Sequence, residues 1–400
     1  MNTPRQQGNI TPRGSRWSRR DFLIRSTLAG AGALSLPALL AACGDDDGGS
    51  SSDTTSGGGG GGGGGNSLVF DNWPAYIDEE TVANFIAATG IDMKYLETYN
   101  DNNEYFAKVQ PVLSKGDKID ADILAPTYWM AARYVSLGWA QKLPVSAIPN
   151  KANLRSDLVG PNWDPNGEYS LPWQTGTAGI AYNISATGRE VRSVADLFAP
   201  EFKGRVGMLT EMRDTIGLIL MGEGIDPSTL TSFEDAAPAF EKLAKANADG
   251  QIRQFTGNDY MDDLDAGNFA VCVGWSGDII QLAKDNPDVR FVIPEEGGTS
   301  WYDSMIWVTG SENSDSVAKW MDFVYDPENA AKIAVGSGYM TPVVGVREVL
   351  EAMGGEEAEM ANNPLLFPDD ATLSRLRVFA SLSEEEEAKY DEEFSKITGA

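Results

Sequence analysis

Aromatic residues recur in this chain beside turn-forming residues, and carboxylates accompany them. Trp73 and Tyr76 follow the apolar run at 68–70, and Trp129 follows the run at 121–125. Trp275 follows the run at 269–273, Trp301 and Tyr302 follow Gly297 and Gly298, and Tyr339 stands in Gly336-Ser337-Gly338-Tyr339-Met340-Thr341-Pro342. Asp303 directly follows Trp301 and Tyr302, while Glu211 and Asp214 follow the run at 206–209. Aromatic faces attract cations and pack against methylene groups. Carboxylates make charge-assisted hydrogen bonds to ammonium groups. A box holding both would suit a thin chain of CH₂ groups with charged nitrogens at its ends. Any single Trp here fits a hydrophobic core, but the repeated placement points to a shared pocket. Asp214 has a second reading, since a carboxylate at a helix start commonly caps it.

The elements that must position these residues alternate strand and helix. Strands are expected at 68–70, 91–96, 121–125, 206–209, 252–255, 269–273, 289–293 and 301–308. Helices are expected at 79–89, 104–114, 128–137, 215–221, 233–247, 260–265, 276–284, 316–325 and 327–335. In the helix at 79–89, Val82, Phe85, Ile86 and Thr89 form one stripe and Gly90 is the stop. The acidic stretch 384–396 reads as a solvent-facing terminal helix. Repeated βα units imply an α/β fold with mainly parallel sheets covered by helices, and ligands of such sheets bind beyond the C-terminal ends of the strands. The strands are too many for one comfortable sheet, so two lobes are expected. The stretch 171–182, rich in Gly and β-formers, and 294–304 read as two hinge crossings that permit closure around a ligand.

Composition excludes several functions. The chain has 400 residues and a formal charge of −28. Residues 1–42 hold six arginines and one acid, so the remainder is more acidic still. Such a surface repels phosphate backbones and argues against nucleic acid as a partner. Histidine is absent, which removes His-based acid–base, nucleophilic and zinc chemistry. Of two cysteines, Cys272 lies in an apolar run and reads as a small buried hydrophobe. No catalytic group, metal or cofactor is expected, and no Gly-x-x-x-x-Gly-Lys-[Ser/Thr] phosphate loop occurs in the chain.

The N-terminal region carries its own signals. Arg19 and Arg20 precede Phe22-Leu23 and an apolar stretch, a pattern of twin-arginine export signals. Leu40-Ala41-Ala42-Cys43 resembles a bacterial lipobox, in which Cys43 is lipidated and becomes the new N-terminus. A membrane-spanning reading of 23–40 is weakened by Gly30, Gly32 and Pro37. Residues 44–66 are almost devoid of apolar side chains and include nine consecutive glycines at 57–65, so they suit a flexible tether.

The chain resembles the spermidine/putrescine-binding protein family of ABC importers. The residues carrying the resemblance are Asn72-Trp73-Pro74-Ala75-Tyr76, Asp122-Ile123-Leu124-Ala125-Pro126-Thr127, Trp275-Ser276-Gly277-Asp278, Pro294-Glu295-Glu296-Gly297-Gly298 with Trp301-Tyr302-Asp303-Ser304, and Gly338-Tyr339-Met340-Thr341-Pro342. Order and spacing hold from Leu68 to about Pro368. The resemblance implies a two-lobe, type II periplasmic-binding-protein-like fold with two hinge crossings. Signal peptide would occupy 1–42 and lipidated Cys43 with its tether 43–66. Lobe 1 would combine 67–173 with 304–345, and lobe 2 would combine 174–303 with 346–400. It implies that Trp73, Tyr76, Trp275 and Trp301 wall a methylene chain and that Asp303 binds an amino group. Glu211 and Asp214 would bind further nitrogens, and Thr127, Trp129 and Tyr339 would line the cleft. Trp129 stands where the family carries Tyr, Phe379 where some members carry Gln, and Arg213 sits between the two acids. The implied partners are a polyamine, an ABC permease with its ATPase subunit, and the membrane through the N-terminal lipid. The protein is expected to be a monomer on the extracytoplasmic face of the cell membrane.

Two other readings use the same residues. The same fold could take ferric iron through Tyr and carboxylate oxygens, a thiamine-like compound or an amino acid. A secreted glycosidase could use Glu211, Asp214 and Asp303 as its paired carboxylates.

Overall fold

A computed structural model describes residues 66–399. Arg19, Arg20, Cys43 and the glycine run at 57–65 lie outside the described residues. No helix among the described residues is long and apolar enough to cross a membrane.

The strands are β1 (Ser67–Asn72), β2 (Asp92–Glu97), β3 (Ile123–Leu124), β4 (Ala140–Gln141), β5 (Ser170–Asn183), β6 (Val206–Leu209), β7 (Ile252–Thr256), β8 (Val271–Trp275), β9 (Val289–Val292), β10 (Gly298–Val308) and β11 (Leu376–Arg377). Eight run in the spatial order β2-β1-β3-β10-β5-β8-β6-β7, with β4 and β11 paired to β10 and β9 to β5. The flanks are parallel: β1 pairs with β2 and β3, and β6 with β7 and β8. The centre is antiparallel, because β5 and β10 run against each other and against β3 and β8.

Where two separate sheets were expected, hydrogen bonding is continuous through all eleven strands. The cause lies in β5 and β10. The first stretch read as a crossing is the long strand β5, the second runs into β10 at Gly298, and the two strands pair from Thr299↔Ala178 to Ile306↔Ser170. They join β2-β1-β3 on one side to β8-β6-β7 on the other. The pairing shifts register between Tyr302 and Ser304, at Asp303. Every residue of β5 is buried.

The helix Thr81–Thr89 ends at Gly90, whose φ of 69° is in the left-handed region that glycine adopts without a Cβ clash. Its buried line is not the expected stripe: Thr81 and Phe85 are buried, whereas Ile86 is exposed. Phe85 sets this orientation by meeting Trp320 and Phe323 edge-on, with ring centroids 5.2 and 5.5 Å apart.

Helix starts differ more than helix existence. One helix runs Met212–Gly222, beginning before the expected residue 215, and Glu211 is its N-cap, accepting the Arg213 amide at 3.2 Å. Another runs Asn102–Leu113, capped by the Asp101 carboxylate. The terminal helix Glu384–Thr398 is not simply solvent-facing: Tyr390 and Phe394 are buried. Tyr390 packs on Phe233 and Phe240, and Phe394 on Phe255. These two aromatics, four apart on one helical face, outweigh the acidic composition of the first turn.

Candidate functional site

Trp73, Tyr76, Thr127, Trp129, Glu211, Asp214, Trp275, Trp301, Asp303 and Tyr339 all line one cavity. Its unfilled space is about 590 Å³, part of it open to solvent. Strand ends place them: Trp73 follows β1, Thr127 and Trp129 follow β3, Glu211 follows β6, and Trp275 ends β8. Trp301 and Asp303 come from β10, on either side of Tyr302. Tyr302 points away and stacks on Tyr128, with centroids 5.1 Å apart.

The aromatic wall is continuous. Ring centroids are 6.2 Å apart for Trp73 and Trp275, 6.5 Å for Trp275 and Trp301, 5.5 Å for Trp301 and Tyr339, and 4.8 Å for Tyr339 and Tyr76. Side-chain bonds fix several of these rings. The Trp73 indole N–H donates to the Ala125 carbonyl at 2.9 Å, and that of Trp275 donates to Oδ2 of Asp214 at 2.8 Å. Gly176 of β5 lies directly behind the wall. A Cβ there would come within 2.6 Å of the Trp301 ring and 3.0 Å of the Tyr339 ring.

The carboxylates of Asp303, Asp214 and Glu211 face this wall, the first two buried and the Glu211 side chain 12% exposed. Asp303 accepts from the Tyr76 hydroxyl at 2.8 Å through Oδ2, while Oδ1 has no hydrogen-bond partner among the described residues. Burial pushes its carboxyl up to about 7, opposed by the Thr127 and Tyr76 hydroxyls and aided by Asp214. Asp214 accepts from the Thr299 hydroxyl at 2.6 Å as well as from Trp275. Burial raises its carboxyl, against those two donors and Arg213. Its side chain therefore belongs to the cavity wall, and the cap role falls to Glu211. Glu211 also accepts from the Asn102 amide at 3.3 Å. Burial pushes Glu211 up to about 8, against the pull of Arg213 and with added push from Asp214 and Asp101.

The cavity has further lining that the sequence reading did not select as site residues. Asn102, Asn258, Asp278 and Thr299 belong to it, as do Arg213 and Phe379. Asp278 accepts from Asn258 and Tyr260 at 3.0 and 3.1 Å, and the Tyr260 hydroxyl accepts the Trp275 amide at 3.0 Å. The placement of Asp278 three residues after Trp275, in the first turn of the helix Ser276–Asp285, was the available signal. Asn102 gave none, because its part in the cavity depends on the fold bringing its helix start to Thr127 and Glu211.

Anionic side chains that are buried, raised and set opposite aromatic faces can hold an organic cation. They pay desolvation in the empty state, which a positively charged guest relieves. Cys272 has no such role: it is fully buried in β8, and burial pushes its thiol up.

Residues 80–368 match the family of bacterial extracellular solute-binding proteins. The spermidine/putrescine-binding periplasmic protein of Escherichia coli K12 is 27% identical over 309 residues, covering 77% of this chain and 85% of the relative. The putrescine-binding periplasmic protein SpuD of Pseudomonas aeruginosa is 28% identical over 351 residues, 82% of this chain and 90% of the relative. A solved putative spermidine/putrescine ABC transporter from Listeria monocytogenes superposes with a TM-score of 0.72 at 26% identity, over 83% of this chain and 98% of that one. The chain belongs to the bacterial extracellular solute-binding protein family.

Proposed function

We propose that this protein captures a polyamine, spermidine or putrescine, outside the cytoplasm and delivers it to the permease of an ABC importer, without catalysing a reaction. The observation that carries this reading is Asp303, buried with Oδ2 bonded to the Tyr76 hydroxyl and Oδ1 unpartnered among the described residues. An ammonium group would complete that carboxylate. The rings of Trp73, Trp275, Trp301 and Tyr76 would cover the methylene chain, and Glu211 and Asp214 would take the remaining nitrogens. Thr127, Trp129 and Tyr339 would complete the lining. The names of the relatives, which bind spermidine and putrescine, support the same ligand class.

In this reading lobe 1 comprises 67–173 with 304–345 and lobe 2 comprises 174–303 with 346–400. They close about β5 and β10, the two strands that join the flanks of the sheet. A twin-arginine signal at Arg19 and Arg20 exports the chain, and lipid on Cys43 holds the monomer at the membrane. ATP hydrolysis belongs to a separate subunit.

Mass spectrometry of the small molecule that co-purifies with the folded part, followed by calorimetry with putrescine, spermidine and spermine, tests the proposal. A polyamine bound at one site per chain is the expected result. Thermal stabilisation by ferric iron or an amino acid, with none by any polyamine, would replace the ligand class. Hydrolysis of a glycoside would overturn the non-enzymatic reading.

A further inference from the structure

The terminal helix Glu384–Thr398 reaches the cavity through Arg213. One nitrogen of the guanidinium, Nη2, donates to Oε1 of Glu387 at 2.5 Å. The other, Nη1, lies 3.9 Å from Oε1 of Glu211, beyond hydrogen-bond distance. The guanidinium carbon sits 3.7 Å from the centroid of the Trp129 ring. The Arg213 side chain is only 7% exposed. One buried cation therefore has a ring against it, one carboxylate on the outer side and a second on the cavity side.

We propose that Glu387 is a positioning residue of the binding site: it holds the Arg213 guanidinium out of bonding contact with Glu211 and so keeps Glu211 open to a ligand cation. This rests on the reading of the cavity as a polyamine site. Arginine cannot leave the competition by losing its proton. A buried guanidinium stripped of one carboxylate is driven strongly toward the next. Glu211 is the nearer alternative, and a guanidinium bonded there would occupy the place of a ligand nitrogen. The charged groups facing Glu211 are Arg213 and Asp214 on its own helix and Asp101 at the start of the helix Asn102–Leu113. Asp391, one turn beyond Glu387, also feels Arg213, together with Arg133. The helix is anchored independently of this pair, since Tyr390 and Phe394 are buried against the neighbouring helix and β7.

The test is a double-mutant cycle of Glu387→Gln and Arg213→Met in the protein, read by calorimetry with spermidine. Charge removal alone predicts that the two effects multiply independently. Guanidinium collapse predicts coupling: Arg213→Met improves affinity about tenfold more in the Glu387→Gln background than with Glu387 present. Independent effects overturn the proposal, and so does an unchanged affinity in Glu387→Gln.

A second readout needs no ligand. The ¹³C-carboxyl signal of Glu211, identified by its loss in Glu211→Gln, titrates at lower pH in Glu387→Gln, and adding Arg213→Met reverses that shift. A Glu211 midpoint that does not move overturns the proposal. If the wild-type protein binds no polyamine, the polyamine reading fails by itself, and this titration still decides the role of Glu387. Thermal melting of each variant separates loss of fold from loss of positioning.

Discussion

The hydroxyl of Tyr76 donates to Oδ2 of Asp303 at 2.8 Å across 227 residues of sequence, and this bond joins the segment after β1 to β10. It orients a carboxylate whose other oxygen has no partner among the described residues. The bond thus holds half of the carboxylate for the fold and leaves half for a guest. A buried acid with one oxygen idle is costly in the empty protein. Its retention makes sense where a cation arrives.

Asp303→Asn therefore separates charge from shape. The amide keeps an oxygen for Tyr76 and loses the negative charge. Affinity for the bound polyamine should fall by at least ~2 kcal/mol, as when one partner of a buried charge pair is removed. Calorimetry on the variant and wild type measures it. An affinity within threefold of wild type would remove Asp303 from the ligand's first contacts.

The raised acids predict a pH dependence with a definite sign. Glu211 moves from 4.5 to about 8 and Asp303 from 3.8 to about 7 in the folded, ligand-free protein. The native state binds more protons than the unfolded state between those limits. Their stabilising contribution is full below the unfolded values and is lost as pH rises through 7 to 8. The ligand-free melting temperature should thus fall from pH 5.5 to pH 8, and Glu211→Gln should flatten the decline.

An ammonium ligand prefers the ionised carboxylates, so binding near neutral pH should release protons and affinity should weaken as pH falls below about 7. Calorimetry at pH 7 in two buffers of different ionisation enthalpy reads the release directly. Equal apparent enthalpies in both buffers would count against it.

Asp214 offers a test of the wall that supports the ligand contacts. Its oxygens are held by the Thr299 hydroxyl at 2.6 Å and the Trp275 indole at 2.8 Å, all three residues being buried. Thr299→Val replaces the donor with a methyl of similar size. The ligand-free protein should lose about 1–3 kcal/mol of unfolding free energy, the cost of an unsatisfied buried acceptor. Urea unfolding at pH 7 gives the value, and no loss would mean that the hydroxyl is replaced by solvent.

Much of this site was legible in the sequence for a physical reason. Strand and turn signals are local, and an α/β fold gathers strand ends at one edge, so Trp73, Trp129 and Trp275 could be grouped without coordinates, and Trp301 joined them through the Gly297-Gly298 turn before it. What stayed hidden depends on distant pairing. Asn102 becomes cavity lining only because its helix start meets Thr127 and Glu211. Glu387 sits in a run of four acids that composition assigns to solvent, and only the packing of Tyr390 and Phe394 turns it toward Arg213. The single continuous sheet does not follow from local signals, because 171–182 reads as a connection, whereas its register with β10 makes the two strands the centre of the sheet.

Gly176 has a packing role that the sequence alone does not show. In the sequence it belongs to a Gly-rich stretch suited to flexing. In the structure it is fully embedded in β5, and a Cβ at this position would lie 2.6 and 2.9 Å from two carbons of the Trp301 ring. Real Cβ contacts do not come that close, and a rigid indole cannot yield at one edge without moving as a whole. Gly176→Ala should push Trp301 and Tyr339 into the cavity. Overpacking of this kind typically costs about 1–3 kcal/mol of stability. Polyamine affinity should fall at least ~tenfold, because the displaced rings occupy the ligand's own space. Titration with putrescine and spermidine alongside thermal melting distinguishes the cases. Wild-type affinity with a well-folded variant would mean that the ring wall tolerates displacement and that Gly176 serves chain flexibility alone.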